Sequence, residues 1–254
     1  MIALKTPAEL SVMQENGAVL ARILSAVCAE VHVGRSTLFF DEMAESLIRE
    51  AGGEPSFKGY HGYPASINAS INEEVVHGIP CSERKLEEGD VFSIDIGLVR
   101  DGLHVDMATT LPVGEIDEIA RRMLEVGERS LWEGIEQVKI GNRLSDISHA
   151  IGTFVEAAGF HVVKEYVGHG IGKAMHEDPQ IPNYGPPGHG TRLRSGMALA
   201  IEPMIKIDSL PTQVQPDRWT VVTGSGGLSV HFEHTIVLTE DRAIVVTLGG
   251  DERA

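Results

Sequence analysis

Two stretches of this 254-residue chain, LEEGDVFSID at 86–95 and LRSGMALAIE at 193–202, follow one plan. Each has a leucine, a glycine three residues on, and an apolar strand pattern that ends in a carboxylate six residues after that glycine. Upstream of each, EAG at 50–52 and EAAG at 156–159 close a helical pattern, and His-Gly follows at 61–62 and 169–170. Two copies of one unit stack equivalent strands against each other. The shared order predicts two pseudo-symmetric halves, roughly 34–112 and 140–247, within one domain spanning 1–254, with their carboxylates facing one centre. It also places Gly62 and Gly170 at matching positions.

Local patterns fill in the unit. TPAE at 6–9 starts a helix, with Thr6 as N-cap, Pro7 at the first position and Glu9 closing a capping box. Leu10, Met13, Leu20, Leu24 and Val27 carry it to about residue 31. A second helix near 41–51 stops at Gly52-Gly53. Residues 65–79 alternate apolar and polar before an Asn-Glu-Glu turn and a Val-Val run, the pattern of a hairpin. Residues 91–111 read as two strands joined by a tight turn at Asp101-Gly102. Helices follow near 115–138 and 145–158, then a Pro/Gly-rich stretch at 179–190 and strands near 197–207, 219–223, 231–238 and 243–248.

Asp95 lies in FSIDIG, Asp106 in LHVDMATT, Glu202 in LAIEPM and Glu233 in HFEHT. Any one of them could sit on the solvent face of a strand, but Asp95 and Glu202 are flanked by apolar residues without the alternation such a face shows. Brought together, four carboxylates cannot all stay ionised without compensation. No neighbouring lysine or arginine supplies it; two divalent cations do. The net charge of −16 agrees, since it favours cations and offers no global support for nucleic-acid binding.

VGHGIGKAMHEDP, at 167–179, adds two histidines seven residues apart. Gly168, Gly170 and Gly172 disfavour a helix there and mark either a plain surface loop or a backbone that lets something approach closely. With the carboxylates in view, His169 becomes an imidazole ligand, and His176 a hydrogen-bond donor that reaches the same centre. Hard oxygens with an imidazole suit Mn, Fe, Co or Zn. Only Cys28 and Cys81 are present, neither in a disulfide or cysteine-zinc pattern, so a reducing cytoplasm is expected. No secretory or membrane-spanning signal is present in the sequence.

Taken together, GYHGYPASI, VVHGIP, SIDIG, GHGIG, MHEDP, AIEPM and FEHT make the chain resemble the type I methionine aminopeptidases, of the pita-bread metallohydrolase fold. The resemblance runs from the first helix to about Thr247. It implies an α+β fold with helices packed on a curved antiparallel sheet, and removal of N-terminal methionine from peptides and nascent chains when the next residue is small. It implies two divalent ions held by Asp95, Asp106, His169, Glu202 and Glu233, with Glu202 moving the proton and His77 and His176 contacting the scissile peptide. Tyr60, Tyr63, Met175 and Trp219 would line the methionine pocket, with Phe57 and Asn68; each could instead be ordinary core packing.

Two departures stand out. Asn68 replaces a pocket cysteine common in the family, and His231 stands where other members carry glutamine; neither is expected to touch a ligand. The resemblance further implies a monovalent cation near Asn72 and Ser229, a monomer, and transient ribosome association without nucleic-acid specificity or membrane binding. The rivals are a proline-directed enzyme of the same fold, which usually carries an additional N-terminal domain, and a non-catalytic binding protein, which would show degraded ligands and a basic face.

Overall fold

Thr6 caps the first helix as its sequence predicts: its hydroxyl accepts the Glu9 N–H at 3.2 Å, and the Glu9 carboxylate accepts the Thr6 N–H at 2.8 Å. The computed structural model describes residues 2–248. Helix α1 spans Pro7–Cys28 and α2 spans Thr37–Glu50. The second starts earlier than the apolar periodicity suggests because the Ser36 hydroxyl caps it, accepting the Phe39 N–H. Strands β1 (Glu54–Pro55), β2 (Ile67–Ile71) and β3 (Glu74–Val76) follow, then the hairpin of β4 (Val91–Arg100) and β5 (Leu103–Pro112). Asp101 and Gly102 have φ of 53° and 72°, the two positive values a type I′ turn needs.

Helices α3 (Glu118–Ile135) and α4 (Leu144–Ala157) precede β6 (His161–Val162), β7 (Gly168–Gly170), β8 (Glu177–Ile181), β9 (Ala198–Ile201) and β10 (Met204–Lys206). The chain then forms β11 (Gln213–Val214), β12 (Val221–Val222), β13 (Ser229–His231), β14 (Glu233–Leu238) and β15 (Ala243–Val245). The main antiparallel sheet runs β1-β4-β5-β14-β9-β7-β8, with β2 also on β4 and β15 also on β14. Two three-stranded sheets, β13-β10-β6 and β11-β12-β3, flank it.

The expected hairpin at 65–79 is not one. The chain does turn at Asn72, with φ of 56°, and Ala69 N–H still reaches Gly78 O at 2.9 Å. Its two arms, however, take different partners, β2 joining β4 and β3 joining β12 in another sheet. Alternation within the segment could not reveal which distant strands would claim each arm.

At the middle of the main sheet β5 meets β14, with Glu233 opposite Ala108 and His234 opposite Met107. Hydroxyls close the seam on both sides. Thr235 Oγ1 donates to Asp106 O at 2.7 Å and accepts the Asp106 N–H, and Thr110 Oγ1 does the same for His231 O and N–H. From this seam the sheet runs outward as β5, β4, β2 on one side and β14, β9, β7 on the other. The expected match of Gly62 with Gly170 fails here. His61 and Gly62 lie exposed in a 3-10 turn at Tyr60–Gly62, whereas His169 and Gly170 are buried in β7, and the strand placed like β7 is β2, which carries Asn68.

Helices cover the sheet. Leu20 and Leu24 of α1 and Phe40 and Ile48 of α2 pack with Phe92, Ile94, Ile96 and Val105. Met123, Leu131, Ile147 and Ile151 of α3 and α4 pack with Leu199, Ile201, Ile236 and Leu238. Full burial of each such side chain contributes roughly 1.5–3 kcal/mol. Side chains alternate along a strand, so Asp95, between Ile94 and Ile96, and Asp106, after Val105, point to the face opposite that core.

Candidate metal centre

The sheet brings together the five residues expected to act as ligands. Asp95 on β4, Asp106 on β5, His169 on β7, Glu202 just past β9 and Glu233 at the start of β14 all line one cavity of about 610 Å³. Donor atoms of Asp106, His169 and Glu233 lie within 4.8 Å of one another, as do those of Glu202, His231 and Glu233. His169 Nε2 stands 3.4 Å from Glu202 Oε1.

The carboxylates are under electrostatic stress. Burial pushes the Asp95 carboxyl up to about 6. Burial also raises Asp106, Glu202 and Glu233 well above the usual range, and for Asp106 and Glu233 the neighbouring carboxylates push the same way. Among the described residues no lysine or arginine lines the cavity. Asp95 Oδ1, Asp106 Oδ1 and Glu233 Oε1 are buried without a hydrogen-bond partner, which would cost stability unless something satisfies them. A cluster of unsatisfied hard oxygens beside a neutral imidazole fits a divalent transition metal.

His169 is prepared for that task. Burial lowers its pKa to about 3, so the ring is neutral. Its Nδ1 faces Gly170 O at 2.9 Å, and since a carbonyl only accepts, Nδ1 carries the proton and Nε2 presents its lone pair to the cavity. The glycines beside it now have a cause. A Cβ on Gly168 would stand 2.5 Å from Ala200 O, and one on Gly170 would collide with Asp178 O. Only a bare backbone lets β7 lie close enough to its two neighbouring strands.

Asn68 and His231 are not bystanders, contrary to expectation. The pairing of β2 with β4 sets Asn68 directly opposite Asp95, and its amide donates to Asp95 Oδ2 at 2.6 Å. His231, two residues before Glu233 but on the separate strand β13, puts Nε2 at 3.6 Å from Glu202 Oε2 and 4.0 Å from Glu233 Oε2. Both contacts depend on strand register that local sequence does not encode.

Beside the carboxylates lies an apolar pocket. Phe57, Tyr63, Ala65 and Met175 form a buried cluster against which Tyr60, Ile79 and Trp219 pack. The Tyr63 hydroxyl donates toward Ile67 O and Gly78 O at 3.1 and 3.0 Å, which fixes the ring edge-on to Trp219. His77, with φ of 61°, stands edge-on to both Trp219 and Tyr166, and burial lowers its pKa to about 4. His176 Nδ1 meets the Tyr60 hydroxyl at 2.9 Å at the cavity mouth. Sequence reasoning missed Ala65, Ile79 and Tyr166; the only signal for Tyr166 is its position just before VGHG.

Asn72 and Ser229 also meet, through Ser229 N–H to Asn72 O at 2.8 Å. Their side chains are engaged elsewhere, Asn72 with Asp90 and Val91, Ser229 with Ile205 O. Among the described residues no helix is long and apolar enough to cross a membrane.

Comparison with known proteins places this geometry. The pattern of metallopeptidase family M24 matches residues 11–240. Methionine aminopeptidase 1 of Bacillus subtilis is 51% identical over 247 residues, covering 97% of this chain and 99% of that protein. Methionine aminopeptidase 1 of Mycobacterium tuberculosis is 47% identical over 96% of this chain and 94% of its own. The crystal structure of methionine aminopeptidase from Thermotoga maritima superposes with a TM-score of 0.95 at 44% identity, covering 97% of this chain and 99% of that one.

Proposed function

Because the chain belongs to metallopeptidase family M24, we infer that it is a methionine aminopeptidase, a hydrolase that removes N-terminal methionine when the next residue is small. The observation that carries this reading is adjacency: an apolar, sulfur-tolerant pocket opens directly onto a carboxylate and imidazole cluster. Asp95, Asp106, His169, Glu202 and Glu233 would hold two divalent ions, of Co, Mn, Fe or Zn. When bound, such ions polarise the scissile carbonyl and lower the pKa of water.

The chain's own residues do the rest. Phe57, Tyr60, Tyr63, Met175 and Trp219 hold the methionine side chain. The acidic floor receives the free α-amino group, which restricts cleavage to the N-terminus. Glu202 takes a proton from the attacking water and passes it to the leaving amine. His176 donates from Nε2 to the carbonyl oxygen as it gains charge, and His77 orients the peptide nitrogen. Asn68 holds Asp95 at the edge of the pocket. The same reading puts a monovalent cation near the Asn72–Ser229 contact, and has a monomer meet nascent chains at the ribosome in the cytoplasm.

The test is release of methionine from Met-Ala-Ser, with Met-Leu-Ser and Ala-Pro-Ser as controls, before and after chelation. Cleavage of Met-Ala-Ser alone is expected, lost on chelation and restored by Co²⁺, Mn²⁺ or Fe²⁺ more than by Mg²⁺, which prefers oxygen ligands and retained water. Turnover confined to Ala-Pro-Ser, or indifferent to chelation, would overturn the reading.

A further inference from the structure

His231 is a buried side chain, only 2% exposed, whose Nε2 has no hydrogen-bond partner and faces the carboxylate cluster. Its backbone is pinned on both sides by Thr110, whose hydroxyl donates to His231 O at 2.7 Å and accepts its N–H at 2.9 Å. The ring is therefore presented, not loosely placed. Separations of 3.6 Å to Glu202 Oε2 and 4.0 Å to Glu233 Oε2 are too long for hydrogen bonds, which need about 2.7–3.2 Å. They do suit two donors sharing an ion, because ligands each about 2.1 Å from one metal stand roughly 3–4 Å apart.

The two donor groups of the cavity share Glu233 and differ in their imidazole, His169 in one and His231 in the other. We propose that His231 is a sixth protein ligand of this centre, its Nε2 binding the divalent ion held between Glu202 and Glu233. The proposal rests on the metallopeptidase reading above. It adds a second imidazole to the one His169 offers, whose Nε2 stands 3.4 Å from Glu202 Oε1. A further nitrogen donor favours Co²⁺ and Zn²⁺ over Mn²⁺ and Mg²⁺ at the position His231 serves.

The experiment uses full-length protein labelled with ¹⁵N-histidine, stripped of metal and then titrated with Zn²⁺, with the imidazole nitrogens followed by NMR. Two rings should move to metal-bound shifts, and one of them should be the signal missing from His231→Gln. In calorimetry the variant should lose at least about 10-fold in affinity for one Zn²⁺ equivalent while the other is retained. Movement of the His169 ring alone in the wild-type protein overturns the proposal, and that count stands even if His231→Gln does not fold. So does a His231→Gln isotherm identical to wild type. Cleavage of Met-Ala-Ser by the same samples is scored separately, so failure of the activity and failure of the ligand assignment are told apart.

Discussion

The rings of His169 and His176 lie with centroids 4.2 Å apart, each with its Nδ1 held against an oxygen. Gly170 O fixes the proton of His169 on Nδ1 and frees the Nε2 lone pair. The Tyr60 hydroxyl, 2.9 Å from His176 Nδ1, can donate as well as accept; donating, it would put that ring's proton on Nε2, as the proposed oxyanion role requires. On that reading one stretch of chain supplies an electron pair and a proton side by side.

That contrast predicts a graded pair of variants. His176→Ala should lower kcat on Met-Ala-Ser by about 10²–10³ with little change in KM, the effect of removing one donor to a developing oxyanion. Tyr60→Phe, which leaves the imidazole but not its fixed tautomer, should lower kcat by roughly 10-fold. Equal effects of the two changes, or a loss confined to KM, would contradict the assignment.

Gly170→Ala should displace β7, because the added methyl meets the backbone at Asp178 O, which no side-chain rotation can relieve. The expected cost is about 3 kcal/mol, the upper end for overpacking, measured by urea denaturation. Gly62→Ala, in the exposed turn, meets no crowding at the Cβ and strains only the local backbone at φ of 90°, about 1–2 kcal/mol, so it should cost less and leave metal binding intact. Loss of metal in both variants alike would argue that the close approach of β7 is unimportant.

Lys5 Nζ lies 2.5 Å from Glu177 Oε2, and these side chains are only 4% and 11% exposed. The pair ties the N-terminal arm, itself held by Lys5 N–H to Gly196 O, to the residue after His176. Lys5→Met leaves a buried carboxylate unpaired and should cost about 3 kcal/mol. Adding Glu177→Met should recover much of that loss, since two apolar groups leave no charge stranded. A double variant no more stable than Lys5→Met would show that the arm acts through something other than this pair.

The metal-free protein should respond to pH in one direction above neutrality. Asp106, Glu202 and Glu233 have folded pKa values raised above the unfolded value of about 4, so their stabilisation is present at low pH and lost as pH rises through the folded values. His169 and His77, lowered to about 3 and about 4, act oppositely, and their contribution is complete above the unfolded value of about 6.5. Above that point, and below the range where the buried Cys28 thiol would titrate in the unfolded chain, the carboxylates are the groups among these whose contribution still changes. The Tm of chelated protein should therefore fall from about pH 6.5 upward, while that of loaded protein stays nearly level. A level curve for chelated protein would show that the carboxylates are not crowded as the structure places them.

Much of the site was legible because it is written locally. Asp95 and Asp106 announce themselves as charges inside apolar strands, and the glycines around His169 announce a crowded backbone. Asn68 and His231 could not be read that way. Their contacts arise from the register of β2 on β4 and from the separation of β13 and β14 at Phe232, which distant partners decide. The misread hairpin at 65–79 has the same cause. The pairing of His61 with His169 failed because a His-Gly dipeptide serves a tight turn as readily as a strand.

The seam between β5 and β14 also orders the assembly of the cavity during synthesis. Asp106 is made well before Glu233, yet each lines the same cavity across that seam. A chain still lacking β14 has one wall of the centre and no place to close it. On the proposed reading, translation products that stop before β14 would lack Glu233 and could not close the metal centre.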